Sequence, residues 1–147
     1  MLELLESRRL RLILTALLYL AASRDPIPGK LLAEKLHCSR RYLEPDLQAL
    51  SQAGILESRR GAHGGYRLAR SAQRISLLDV LRCLAPETPQ AEGGGSPVES
   101  QVTIAALDDV RRQLDAALEQ ITLATWLAHA HAKGLLASVG SPADFCI

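Results

Sequence analysis

At 147 residues, with 48% hydrophobic but only 3% aromatic side chains, the chain suits one domain whose core is built from Leu and Ala, a composition that leans helical. The net charge of +1 hides a split: residues 1–82 hold 14 Lys/Arg and 8 Asp/Glu, whereas residues 83–147 hold 3 and 8, so a basic half suited to a polyanion precedes an acidic half that is not. Cys38, Cys83 and Cys146 are widely spaced and odd in number, which argues against a disulfide framework and a zinc site and fits a reducing cytoplasm.

A first helix is expected from Leu4 to Ala22. Leu10, Ile13, Leu14, Leu17 and Leu18 recur at helical spacing. The segment resembles a signal peptide only superficially, since Glu3 and Glu6 spoil the positive start and the apolar run is too short to span a bilayer. The Pro26 and Pro28 pair makes a turn. A second helix follows over Gly29–Leu36, with Leu31, Leu32 and Leu36 as its apolar side. After His37 and Cys38, Ser39 caps a third helix running to about Ala53, with Gly54 beyond its end.

Ile55–Arg60 and Tyr66–Arg70 read as two strands joined by the turn Gly61-Ala62-His63-Gly64-Gly65. A fourth helix opens near Ile75, with Ser76 and Asp79 at capping spacing, and stops before Pro86. Residues 86–103 form a flexible loop, marked over 86–100 by three prolines and a triple glycine. A long helix then spans Ile104 to about Lys133, and a tail covers 135–147. Leu107, Leu114, Ile121 and Ala128 fall seven apart, beside Val110, Ala117 and Ala124, and Leu118 joins them. These lines make a seam for another helix, and the same helix also has its own domain to pack against.

Helix, short turn, helix, then hairpin is the layout of a winged helix-turn-helix. The fold class expected is therefore mainly α with a small β-hairpin wing: a winged domain over 1–85 and a long C-terminal dimerisation helix over 104–134. The third helix would enter the major groove of double-stranded DNA, with Ser39, Arg40, Arg41, Tyr42 and Glu44 near the base edges and phosphates. Glu44 has three readings: accepting from cytosine, facing solvent, or pairing with Arg40 or Arg41. In the wing, Arg59, Arg60, His63, Gly64, Gly65, Tyr66 and Arg67 would meet the sugar-phosphate chain and the minor groove. Pro45 falls inside the third helix, so the helix either bends there or starts after Ser39.

Three stretches together resemble the signature of the Rrf2 family of regulators: Ser39-Arg40-Arg41-Tyr42-Leu43-Glu44, the wing Gly61-Ala62-His63-Gly64-Gly65-Tyr66-Arg67-Leu68, and Ile75-Ser76-Leu77-Leu78-Asp79-Val80. The resemblance is close over Leu4–Ala85 and extends to the rest in layout. It implies a bacterial homodimeric transcription factor whose C-terminal helix crosses to the partner subunit. Many members hold an iron–sulfur cluster on three cysteines in the loop before the dimer helix. Residues 86–100 contain no cysteine, so no cluster and no other cofactor is expected.

Candidate sensors are few. Cys38 precedes a helix start beside two arginines, which suits either a redox-active thiol or a small turn-filling residue. Cys83, among the leucines of the fourth helix, is expected to be buried and inert. Trp126 packs in a dimer core or closes a small pocket. A small-molecule effector between dimer helix and winged domain has no residue pattern to name it. His129 and His131, two apart on a helix, do not face one way and make no metal pair. The alternatives to a DNA-binding repressor are a winged-helix docking module and an enzyme. The clustered arginines argue against the first, and the lack of any nucleophile–base spacing, phosphate loop or metal motif argues against the second.

Overall fold

The computed structural model describes residues 1–85 and 95–136. The first half of the expected loop, residues 86–94, therefore lies outside the described residues, as do Cys146 and most of the tail. In chain order the elements are α1 (Leu2–Glu6), α2 (Arg8–Ala22), α3 (Gly29–Lys35), α4 (Arg40–Gln52), β1 (Leu56–Arg59), β2 (Gly65–Leu68), α5 (Leu77–Leu84), α6 (Ile104–Glu119) and α7 (Leu123–Ala132). The fold is mostly helical with one antiparallel hairpin, as expected. A short 3-10 turn covers Ala72–Arg74, and a π-type turn over Glu99–Thr103 runs directly into α6.

Three expectations need correction. The first helix is two helices, because Ser7 adopts extended backbone and caps α2, its hydroxyl accepting the Leu10 N–H at 3.1 Å and donating to the Leu4 carbonyl at 2.7 Å. The C-terminal end of the expected loop is not loop, since Glu99–Thr103 is already helical. The long C-terminal helix is also two. Around Ile121 the chain leaves the helix and bonds to the segment before α5, with the Leu77 N–H donating to the Ile121 carbonyl at 2.8 Å and the Leu123 N–H to the Ile75 carbonyl at 2.9 Å. These two bonds replace helical ones, so the break costs little hydrogen bonding.

The core lies between α2, α4 and α5. Leu10, Ile13, Ala16, Leu17 and Leu20 enter it from α2, Leu43, Leu47 and Leu50 from α4, and Leu77, Leu78, Val80, Leu81 and Leu84 from α5. Burying each large side chain contributes about 1.5–3 kcal/mol. On α3 the buried residues are Leu32 and Ala33, followed by Leu36, whereas Leu31 is exposed. Leu118 and Leu123 join the same core from the far end of the chain. One charge is buried with it. Asp46 on α4 accepts from Arg9 Nε at 3.0 and 3.1 Å, and Arg9 Nη1 donates to the Leu84 carbonyl at 3.2 Å. The Asp46 bond holds the Arg9 guanidinium above its usual pKa. One arginine thus ties α2, α4 and the end of α5 together. Among the described residues, no helix is long and apolar enough to cross a membrane.

Candidate nucleic-acid interface

The turn into α4 is set by backbone. His37 takes φ +51°, its N–H bonds the Glu34 carbonyl, and the Cys38 N–H bonds the Ala33 carbonyl, both at 3.1 Å. This left-handed cap stops α3 and reverses the chain within two residues. Ser39 then caps α4, accepting the Tyr42 N–H at 3.2 Å. The helix starts at Ser39 despite Pro45. Arg41 and Pro45 both lie on the exposed side, so the carbonyl that Pro45 leaves free faces water rather than core.

Arg40, Arg41, Tyr42, Pro45, Gln48 and Gln52 make up the exposed face of α4. Gln48 and Gln52 escaped the sequence reading. Their signal was the four-residue spacing from Arg40 and Glu44, which puts all four on one stripe. Glutamine there suits bidentate bonding to adenine.

The wing pairs Leu56 with Leu68, Glu57 with Arg67, Ser58 with Tyr66 and Arg59 with Gly65. Its two adjacent glycines are demanded by the protein's own backbone. A Cβ on Gly64 would lie 2.3 Å from the Arg59 carbonyl oxygen, and one on Gly65, at φ +144°, would lie 2.4 Å from the Ile27 backbone. The base of the wing is held by two 2.9 Å bonds between the Tyr66 and Ile27 backbones.

The side chains divide. Arg67 binds Glu57 with Nε at 3.0 Å and Nη2 at 2.8 Å, and Arg59 lies 3.6 Å from the same carboxylate. Arg67, followed by Arg59, holds Glu57 below the usual carboxylate range. Arg41 and Arg60 form no ion pair among the described residues, and His63 is exposed at the wing tip. Tyr66 is inward-facing, 8% exposed, and its hydroxyl donates to Glu44 Oε1 at 2.7 Å. Glu44 Oε2 accepts from Arg40 Nε at 3.0 Å. Of the three readings of Glu44, pairing with Arg40 is therefore the one seen. The Tyr66 hydrogen bond, helped by Arg40, lowers the Glu44 pKa, while burial and Glu44 push Tyr66 up to about 12. At neutral pH the pair is one carboxylate and one protonated phenol. A cleft of about 680 Å³ runs between α4 and the wing, with Arg40, Glu44 and Gln48 on one wall and Arg59, Arg60 and Gly64 on the other.

Cys38 is half-buried in the α3–α4 turn and packs on the core. Cys83 is half-buried on α5, and burial pushes its thiol pKa up. Trp126 packs on the core from α7. Along the expected seam, Leu107 and Val110 are 64% and 61% exposed, while Ala117 and Ile121 are also exposed and Leu114 and Ala124 half-buried. Leu118 departs from that line, since it is 5% exposed and packs in its own chain's core.

A helix-turn-helix, a two-stranded wing and an arginine-lined cleft between them define a winged-helix transcriptional regulator. The chain belongs to the Rrf2 family, whose model, described as an iron-dependent transcriptional regulator, matches residues 6–129. The helix-turn-helix-type regulator slr0846 of Synechocystis sp. is 37% identical over 74% of this chain and 78% of its own. CymR of Bacillus subtilis is 32% identical over 70% and 78%. Among solved structures, IscR of T. potens superposes with a TM-score of 0.66 at 28% identity, covering 95% of both chains. These relatives are regulators, and the chain is a regulator rather than an enzyme.

Of the thiols that could hold the iron of the family description as a cluster, Cys38 and Cys83 stand on separate segments, Cys146 lies outside the described residues, and residues 86–100 contain none. Among the described residues, no group of three or more His, Cys, Asp or Glu is placed to hold a metal ion.

Proposed function

We propose that the chain acts in the cytoplasm as a homodimeric repressor on a two-fold-related DNA site, without a resident iron–sulfur cluster. The observation that carries this reading is that Arg40, Arg59 and Arg60 line one cleft between α4 and the wing, with Arg41 on the adjoining exposed face of α4. A helix end fits the major groove and a thin hairpin the adjacent minor groove or backbone, so guanidinium groups flanking both fit duplex DNA. The exposed apolar residues of α6 support the dimer, and a two-fold dimer supports an inverted-repeat site. Repression requires only that the bound dimer obstruct the polymerase.

The test is to mix purified protein with sheared genomic DNA of its source at about physiological salt, then sequence what is retained. Enrichment of a few sites sharing an inverted repeat supports the reading. Uniform weak retention, unchanged by cell extract metabolites, counts against sequence-specific binding and favours a docking module. Stoichiometric iron and acid-labile sulfide after anaerobic purification would overturn the cluster-free part alone.

A further inference from the structure

We propose that Glu44 is a positioning residue that latches the wing to α4 through Tyr66, rather than a reader of bases. The inference rests on the DNA-binding reading above. Glu44 lies on α4, yet each of its oxygens is engaged within the chain, Oε1 by the Tyr66 hydroxyl at 2.7 Å and Oε2 by Arg40 Nε at 3.0 Å. Tyr66 is the second residue of β2, and its backbone is already fixed to Ile27 by two bonds. The base of the wing is thus pinned at two points, by main chain to Ile27 and by side chain to α4. Gly29, the first residue of α3, borders the joint: a Cβ there would sit 3.4 Å from the Tyr66 ring and 3.5 Å from the Glu44 carboxylate, in ordinary contact with both.

The latch has two effects on binding. It fixes the distance between the groove-facing helix and the wing, so less ordering remains to be done when DNA arrives. It also holds Arg40 by Nε, leaving both Nη groups of a side chain that is 65% exposed available to DNA. A buried phenol hydroxyl left without its acceptor would be costly, which favours the closed arrangement.

The test compares Tyr66→Phe, Glu44→Gln, Glu44→Ala and the double variant Tyr66→Phe/Glu44→Ala, using operator affinity, base preference at every operator position, and 15N relaxation of the wing amides in free protein. Tyr66→Phe deletes only the hydroxyl. It is expected to weaken binding about tenfold and to increase wing mobility, with melting temperature and base preference little changed. Glu44→Gln keeps an acceptor for the hydroxyl and should retain most of the wing order. Glu44→Ala should add little once the hydroxyl is gone, because both changes open the same joint. Two outcomes would overturn the latch: a Tyr66→Phe variant that matches wild type in affinity and wing relaxation, or a Glu44→Ala variant that changes preference at one base pair while Tyr66→Phe binds normally. Should the wild-type protein select no DNA site, the functional reading fails by itself, and wing relaxation still decides the latch.

Discussion

Helices α4 and α6 are similar in length, 13 and 16 residues, and opposite in what they leave open. The apolar side of α4 is satisfied within the chain, where Leu43, Leu47 and Leu50 are buried and the one buried carboxylate, Asp46, is paired with Arg9. Its outward face is polar and cationic. Of α6 only Leu118 is buried, while Ile104, Leu107 and Val110 stand in solvent beside the surface ion pairs Arg111–Asp108 and Arg112–Asp109. An exposed face therefore means different things on the two helices. On α4 the open face is charged and the closed face complete, which fits a charged ligand. On α6 the open face is apolar, which fits a second copy of the same helix.

The largest effect should come from breaking the α6 face. Leu107→Glu with Val110→Glu is expected to give a monomer by sedimentation. Its operator affinity should fall roughly a hundredfold or more, since two tethered half-sites become one. A variant that stays dimeric would show that α6 is not the seam and remove half of the contrast. Next comes the closed side of α4. Asp46→Ala should lower stability by about 2 kcal/mol in urea denaturation, because it orphans Arg9 and loosens three elements; the figure is kept modest since the Arg9 side chain is 42% exposed. An unchanged midpoint would mean that the ion pair merely decorates the core.

The wing side of the cleft is tested by Arg59→Ala with Arg60→Ala. Affinity should drop about tenfold across all sequences, and the salt slope should flatten by about one for each phosphate that the wing no longer neutralises. Unaltered salt dependence would detach the wing from the DNA. The smallest effect concerns the entry to α4. His37→Gly relieves a left-handed non-glycine residue at φ +51° and should raise stability by about 0.5 kcal/mol without changing DNA binding.

Local signals were legible in the sequence. Ser39 reads as a cap and is one, and Ser76 with Asp79 forms a complete capping box. The glycines of the wing mark the hairpin turn, although their tightest demands come from Arg59 and Ile27 rather than from DNA. What escaped was decided by distant partners. Ile121 sits seven residues after Leu114, so periodicity continues the helix through it, yet the chain breaks there to bond with Ile75 and Leu77, over forty residues earlier. Tyr66 stands in an arginine-rich wing and reads as a DNA contact, but its hydroxyl meets Glu44, twenty-two positions away. Leu118 sits one residue past the Ala117 line and reads with the seam, but it is buried in its own chain's core. Pattern gives a helix its faces; which neighbour claims each face is a matter of topology.

The bridge between Ser76 and Thr122 has a consequence for how this molecule can be divided. A boundary at residue 103 looks natural from the chain's layout. A fragment cut there would lose Leu118 and Leu123 from its core and leave the amide of Leu77 and the carbonyl of Ile75 without their partners. The DNA-facing head is therefore not a detachable cassette. Any chimera that transplants it must carry the strip around residues 118–123 as well, and natural recombination between relatives would be confined to crossovers that keep the two ends of the chain together.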